Sequence, residues 1–244
     1  IRDYLPFPLN WLYPLKARKQ KLFTAVPYDA ATLSFRALIK NASPGATECP
    51  ATLDDLALLQ YTGGTTGMPK GALLAHEGYL WVAQSAKQVI ETFVDDETIS
   101  FLPLNHVYEQ IYDIMFHLTT GHTVNFTENT DTVMADMMEV SPTLFHAVPR
   151  IWEKYYSGIV LKMADATWLK RTLYAIAVKI GTEYNNKVIK GDRAPLYLAL
   201  AYHLFYFIVF RKLKKRLGFD RVRIGASGAA PISHEVIKFF QSIG

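Results

Sequence analysis

Strand-like apolar runs alternate with helical patterns along residues 55–150, and this alternation limits the chain to few architectures. The apolar runs cover residues 55–62, 98–104, 121–127 and 142–149, while residues 71–90 predict a strand turning into a helix, and residues 110–120 and 131–141 predict helices. Such alternation is typical of parallel strands, because each parallel connection needs a crossover. We therefore expect an α/β fold with a parallel-rich sheet and flanking helices.

Three further parts surround this region, and we interpret all four as pieces of one domain. Residues 1–54 are rich in proline and aromatic side chains, which predicts a connector segment and a linker. Residues 151–216 predict a helical insertion. Residues 217–244 predict a strand, a turn and a helix that has Ser233 as its N-cap.

The loop after the first strand has the composition of a phosphate site. Residues 61–71 read YTGGTTGMPKG and combine glycines, hydroxyl groups and one lysine. Glycine allows the backbone N–H groups to converge on an anion, threonine supplies hydroxyl donors, and Lys70 supplies positive charge. The candidate nucleotide-binding residues are Thr62, Gly63, Gly64, Thr65, Thr66, Gly67 and Lys70. The competing interpretation is a mobile Gly/Thr surface loop.

A Walker A loop is excluded by the residues around the lysine. That motif needs glycine before the lysine and serine or threonine after it, whereas Pro69 and Gly71 flank Lys70. Proline cannot donate a hydrogen bond, and Gly71 offers no hydroxyl to Mg²⁺.

The same loop resembles the nucleotide-phosphate loop of the adenylate-forming (AMP-binding) superfamily, whose usual form is [YF]-T-S-G-T-T-G-x-P-K-G. Gly63 is the only departure, and this variant is similar to bacterial long-chain fatty-acid CoA ligases. Because the chain opens on Ile1 and closes on Gly244 after an apolar helical pattern, we expect an internal fragment of the large N-terminal domain of such an enzyme.

A second segment, FLPLNH at residues 101–106, follows a strand and ends on His106. In the family a similar segment places that histidine beside the bound carboxylate. The resemblance therefore implies that His106 orients the fatty acid and acts with Lys70 and Thr65 in catalysis. The alternative is a histidine at a strand end that is bonded to the backbone.

A third segment, PTLFHAVPRIWE at residues 142–153, resembles the family's strand-to-helix segment. Its tryptophan can gate the acyl tunnel, so Trp152 is a candidate substrate-binding residue. Packing of a large aromatic side chain in the core is an equal alternative. His146 has no assigned role and is interpreted as structural.

A fourth segment, IGASGAAP at residues 224–231, resembles the turn on which the adenine ring lies flat. The residues implied in adenine binding are Gly228, Ala229, Ala230 and Pro231. A generic strand-turn-helix with small residues is the alternative. A serine hydrolase elbow is disfavoured, because glycine directly follows Ser227.

The resemblance implies an enzyme that uses ATP, Mg²⁺ and CoA to convert a fatty acid to acyl-AMP and then to acyl-CoA. The family's Mg²⁺-binding glutamate, ribose-binding aspartate and adenylation lysine are expected beyond Gly244. We therefore expect no metal ligand in this chain and an inactive fragment when it is isolated. Alternatives are an adenylating enzyme for an aryl or other acid, and a non-catalytic lipid- or membrane-binding module.

Charge and hydropathy are concentrated near the C-terminal part of the chain. The formal net charge is +4, yet residues 211–223 alone hold seven basic residues and one acid. The preceding residues 194–210 are the most hydrophobic stretch, which we interpret as a helix packed on the domain and partly embedded at most. The basic patch is either a solvated helix face or a contact for an anionic membrane. No nucleic-acid motif accompanies it.

The single cysteine, Cys49, lies in the linker and cannot form an internal disulfide. This favours a reducing, cytoplasmic setting, peripheral to the inner face of the membrane if the basic patch binds lipid. Oligomeric state and acyl chain length are not encoded in any pattern that we recognise.

Overall fold

The structure, a computed structural model, describes residues 7–19, 27–29, 31–45, 48–62 and 68–244. The chain forms two compact units, Ile1–Pro50 and Ala51–Gly244. The first unit contains helices α1 (Leu9–Lys19) and α2 (Phe35–Asn41). The side chain of Ser34 caps α2 by accepting a hydrogen bond from the N–H of Ala37.

The second unit begins with a hairpin that carries the glycine-rich loop. Strands β1 (Leu56–Thr62) and β2 (Lys70–Ala75) pair antiparallel, with Thr62 opposite Lys70. This pair departs from the expected parallel alternation. The physical reason is length, because residues 63–69 are too few for a parallel crossover, which needs a dozen or more residues.

The remaining strands form two parallel pairs, as the sequence predicts. Strand β3 (Glu97–Ser100) pairs with β4 (Thr123–Phe126), and β5 (Leu144–Ala147) pairs with β6 (Ile224–Ser227). The backbone N–H of Thr143 donates to the carbonyl of Glu97 at 2.9 Å and joins the two pairs. The carboxyl ends of β3, β5 and β6 therefore meet on one side, and the α/β prediction is confirmed.

Helices connect these strands and cover them. The first crossover is one continuous helix made of α4 (Val107–Glu109), a π-helical segment (Gln110–Phe116) and α5 (His117–Thr120). Its buried polar residues Glu109 and Asp113 lie within it. The other two helices of this region are α3 (His76–Val89) and α6 (Val133–Val140).

Residues 149–217 are helical almost throughout, close to the predicted insertion. They form α7 (Pro149–Ala164), α8 (Trp168–Ile189), α9 (Leu196–Phe205), a π-helical segment (Tyr206–Phe210) and α10 (Arg211–Leu217). The last helix, α11 (His234–Ile243), packs against α8. There a Cβ on Gly181 would come within 2.1 Å of the Ser242 carbonyl oxygen, so only glycine permits this approach.

Ser233 is the N-cap residue of α11, but its side chain makes no capping hydrogen bond. The predicted position is confirmed, and only the backbone contributes, through the N–H of Ile237 donating to the Ser233 carbonyl. The core lies between the strands and these helices. Its centre is aromatic and contains Phe145, Trp152, Tyr155 and Phe219, and the partly buried Phe240 packs against them.

Candidate functional site

The glycine-rich loop is presented at one end of the β1–β2 hairpin. Its residues Gly63, Gly64, Thr65, Thr66 and Gly67 lie outside the described residues. Thr62 and Lys70 pair opposite each other where the loop leaves the hairpin, and Lys70 is exposed. Their role in phosphate binding stays a prediction.

His106 lies at the start of the helix that follows β3. It is the N-cap of α4, and its Nδ1 accepts a hydrogen bond from the backbone N–H of Tyr108 at 3.2 Å. This hydrogen bond is the backbone contact that the alternative interpretation of His106 expects. The imidazole is nevertheless exposed, so its position is compatible with contact to a carboxylate.

The small-residue turn after β6 meets the same segment through Tyr108. A Cβ placed on Gly228 would lie 2.6 Å from Cε2 of Tyr108, so a larger residue would displace that ring. Ala229 has a φ of 68°, a left-handed conformation that alanine rarely adopts. The N–H of Gly228 donates to the carbonyl of Ala147 at 3.3 Å and ties the turn to the end of β5.

Tyr108 is therefore a residue of the candidate site that the sequence interpretation missed. It lies two residues after His106 and packs against the turn proposed for adenine. Burial raises the pKa of its hydroxyl, so the side chain stays neutral. The available signal was an aromatic residue two positions after the end of the LPLNH segment.

Trp152 lies on α7 and is packed in the core against β6, the strand that leads to this turn. Its Nε1 donates to the carbonyl of Ala226 at 3.2 Å, and only 7% of the residue is exposed. The indole meets the rings of Phe145 and Phe240 edge-on at 5.0 and 4.8 Å. This geometry agrees with the packing alternative, and a gating role stays a prediction.

One side of Trp152 also borders a cavity of about 460 Å³. Most of its wall is apolar and comes from β6, α11 and the residues around them. These side chains include Trp152, Phe219, Val222, Ile232, Phe240 and Ile243. Ser227, Gln241 and the cations Lys214 and Arg223 also line the cavity, so it offers hydrocarbon contact together with a few polar groups.

A buried polar cluster lies behind the His106 segment. Glu109, Asp113 and His146 are 1%, 3% and 7% exposed. Glu109 Oε1 accepts from the backbone N–H of Leu102 at 3.0 Å, and Asp113 Oδ1 lies 3.1 Å from His146 Nε2. Glu109 thus anchors the segment that carries His106. The structural interpretation of His146 agrees with its buried contact with Asp113.

The two acids of this cluster have opposite protonation behaviour. Burial, strengthened by the nearby Asp113 charge, raises the pKa of Glu109 to about 8. Burial also opposes ionisation of Asp113, but the hydrogen bond and charge of His146 outweigh it and hold the Asp113 pKa below its usual value. Glu109 is therefore mainly protonated at neutral pH beside an ionised Asp113. The i, i+4 spacing of two acids in an apolar helix was the signal for this cluster.

The residues that the structure describes fit the groups expected of an ATP-using enzyme only in part. The turn at residues 228–231 has the small residues that a flat ring needs. Within the described ranges, no group of three or more His, Cys, Asp or Glu comes together as a metal site. We therefore derive no step through Mg²⁺.

Comparisons with known proteins agree with the motifs. Over 194 residues the chain is 34% identical to the long-chain fatty-acid CoA ligase ACSBG2 of Rattus norvegicus, covering 77% of this chain and 29% of that protein. Over 195 residues it is 34% identical to the peroxisomal long chain acyl-CoA synthetase 6 of Arabidopsis thaliana, covering 79% and 26%. The chain thus spans less than a third of the length of these relatives.

A solved structure shares the fold. It is the A-PCP didomain of carboxylic acid reductase from Segniliparus rugosus in complex with AMP, with a TM-score of 0.50 and 27% identity over 83% of this chain and 24% of that chain. The family model described as AMP-binding enzyme matches residues 12–244, which include the loop, the His106 segment and the adenine-type turn. The chain belongs to the family of AMP-binding enzymes.

Proposed function

We propose that this chain supplies the nucleotide and acyl sites of an enzyme that activates a long-chain fatty acid with ATP and transfers it to CoA. The observation that carries the proposal is the contact of Tyr108 with Gly228, because it joins the segment proposed for the carboxylate to the turn proposed for adenine. The names of the relatives, which are long-chain fatty-acid CoA ligases, support the choice of acid.

The chemistry needs alignment more than strong acid–base groups. A carboxylate oxygen attacks the α-phosphorus of ATP, the bond from that phosphorus to the β-phosphate oxygen breaks, and pyrophosphate leaves. The thiol sulfur of CoA then attacks the acyl carbon, and AMP leaves with the electron pair. Because two anions must meet in the first step, positioning and charge compensation account for most of the expected acceleration.

Each residue has a defined task in this scheme. Lys70 and the hydroxyls of Thr65 and Thr66 hold the phosphates and stabilise the departing pyrophosphate. His106 orients the carboxylate at the exposed start of α4. The adenine ring lies on the turn of Gly228, Ala229, Ala230 and Pro231.

The apolar cavity beside Trp152 favours a fatty acid over an aryl or amino acid. Its volume of about 460 Å³ exceeds what a single aromatic ring needs, and its wall is mainly apolar. An acyl chain placed there would lie against β6, which is the strand that leads into the turn proposed for adenine.

The test is a pyrophosphate-release screen of the parent polypeptide, which we define as the longest natural polypeptide that contains this chain. We expect release that depends on saturated fatty acids and rises with chain length, and CoA thioester formation with the same acids. Release only with aryl or amino acids would instead support a different adenylating enzyme. Absence of release with any carboxylic acid would contradict the enzyme proposal.

A further inference from the structure

The longest apolar helix of the insertion has one buried face and one exposed face. The continuous helix Leu196–Leu217, formed by α9, the π-helical segment and α10, is long and apolar enough to cross a membrane by length and composition alone. Five of its side chains, however, are buried in the protein: Leu198, Tyr202, Phe210, Lys214 and Leu217. A helix that packs one face on the protein core in this way cannot be surrounded by lipid on all sides.

The opposite face forms a stripe that changes from apolar to cationic along the helix. The apolar part exposes between 47% and 76% of each side chain, namely Leu196, Tyr197, Leu200, Leu204, Phe207 and Ile208. One polar residue, His203, is exposed among them. The cationic part continues the same three- and four-residue spacing with Arg211, Lys212, Lys215 and Arg216, all exposed. We call these ten apolar and cationic residues the docking stripe.

Lys214 does not belong to the stripe, although it lies within the basic run. It is 7% exposed, and its Nζ donates to the carbonyl of Gly244 at 2.5 Å. Burial lowers its pKa. The basic run therefore divides into one internal lysine and four surface cations, a division that the sequence alone does not reveal.

A second copy of this chain is a poor match for the docking stripe. Parallel pairing of two stripes would bring the cationic parts together, and antiparallel pairing would place each cationic part on an apolar one. Neither arrangement supplies counter-charge to Arg211, Lys212, Lys215 and Arg216. An anionic lipid surface supplies hydrocarbon for the apolar part and phosphate for the cationic part within a short distance.

We propose that the docking stripe binds the interface of an anionic lipid bilayer. The helix lies obliquely, with the apolar part among the acyl chains at the boundary and the cationic part at the headgroup phosphates. The buried face stays packed on the protein, so the contact is peripheral. This inference goes beyond the proposed activity, because it requires neither ATP nor a fatty acid.

The first test measures binding of the parent polypeptide to sedimenting vesicles of phosphatidylglycerol and phosphatidylcholine, with pure phosphatidylcholine as comparison. We expect binding to the anionic vesicles that weakens steeply as salt is raised, since exposed charges are screened. The double variant Lys212→Gln, Lys215→Gln should bind about 25-fold more weakly, from about fivefold for each cation. The matched control Lys154→Gln, Lys162→Gln changes two exposed lysines of α7 and should bind like the unmodified protein.

The second test examines the apolar part. Leu200→Ser and Phe207→Ser alter side chains that are 63% and 60% exposed, so folding should be preserved. Both should weaken binding at low and at high salt, which separates insertion from charge attraction. A Phe207→Trp variant should show a blue-shifted emission and quenching by brominated acyl chains on anionic vesicles.

Three results would overturn the inference. They are absence of binding to anionic vesicles, equal binding by the Lys212/Lys215 and Lys154/Lys162 variants, and a Phe207→Trp emission that vesicles do not change. If another part of the polypeptide or a protein partner covers the stripe, the first of these results is obtained. Because vesicle binding is read without substrates, failure here leaves the pyrophosphate-release test unaffected.

Discussion

Among single residues, Lys70 has the most direct consequence for the proposed reaction. It is exposed at the start of β2, where the glycine-rich loop returns to the hairpin. We expect Lys70→Ala in the parent polypeptide to lower ATP–pyrophosphate exchange by roughly 10²-fold, the scale for loss of one preorganised charge contact in a transition state. The melting temperature should not change, because an exposed side chain contributes little to the core. Lys154→Ala is the control, and an unaltered exchange rate in Lys70→Ala would refute the loop assignment.

Gly228 is expected to tolerate no side chain while Tyr108 is in place. A Cβ there would lie 2.6 Å from the Tyr108 ring, so Gly228→Ala should raise the KM for ATP and lower the melting temperature. Tyr108→Ala should remove the clash, and the double variant should therefore be more stable than the sum of the single losses predicts. Denaturation of all four proteins measures this coupling. Strictly additive losses of stability would mean that Gly228 and Tyr108 do not contact each other.

Glu109 is expected to make stability depend on pH. Its folded pKa of about 8 lies above its ordinary value of 4.5, so the folded state holds a proton that the unfolded state has lost. Its stabilising protonation is complete below pH 4.5 and is lost as pH rises through 8. The slope is at most about 1.4 kcal/mol of unfolding free energy per pH unit, the value for one proton.

The window from pH 6.5 to 8 isolates this effect. His122, whose pKa burial lowers from 6.5 to about 4, contributes mainly below that window, because its unfolded form is already half deprotonated at pH 6.5. Glu109→Gln keeps an acceptor for the N–H of Leu102 and cannot ionise. Urea unfolding at several pH values should show stability falling with pH in the unmodified protein and a flatter profile in Glu109→Gln. Parallel profiles for the two proteins would show that Glu109 does not hold the proton.

At the scale of elements, the sequence predicts what depends on local spacing and misses what depends on neighbours. The parallel pairs β3–β4 and β5–β6 are confirmed because each has a helical crossover of sufficient length. The β1–β2 hairpin could have been recognised from the short distance between its strands. In residues 194–217 nearly every position before the basic run is apolar, so periodicity cannot tell the buried face from the exposed one.

The candidate site shows the same difference between features set by local sequence and features set by neighbouring elements. The LPLNH segment and the small-residue turn are legible as motifs, but Tyr108 and Glu109 matter only because the fold brings them to Gly228 and Leu102. Lys214 is an extreme case, since the acceptor of its Nζ, the carbonyl of Gly244, lies 30 residues further along the chain. Contacts of this kind arise from tertiary packing and have no local sequence signature.

Trp152 ties helix α7 to strand β6, and this link can be tested. Trp152→Ala removes a buried indole from between Phe145 and Phe240 and should cost about 3–5 kcal/mol of unfolding free energy. Trp152→Phe keeps most of the ring contact and loses the hydrogen bond to Ala226, about 1 kcal/mol. Urea denaturation of both variants measures these losses of unfolding free energy. If Trp152→Ala melts normally and only shifts the preferred acyl length, the residue is a gate and not an anchor.

At the scale of the whole molecule, the two compact units differ in how much apolar interior each contains. The unit Ala51–Gly244 contains the aromatic core, the parallel strand pairs and the helices of residues 149–217. In the unit Ile1–Pro50, α2 buries none of its residues. The unit Ala51–Gly244 therefore has the apolar interior that cooperative folding requires. The unit Ile1–Pro50 has little apolar interior among its described residues.

We accordingly expect residues 51–244 to fold without residues 1–50. Expressed alone, they should unfold in one cooperative transition, with a melting temperature within about 5 °C of the 244-residue chain, because a loss near 1 kcal/mol corresponds to a few degrees in a domain of this size. Differential scanning calorimetry of both chains measures the transition, and Phe145→Ala in each serves as a control that must lower it. Loss of the cooperative transition in residues 51–244, with retention in the longer chain, would show that the first unit completes the core of the second.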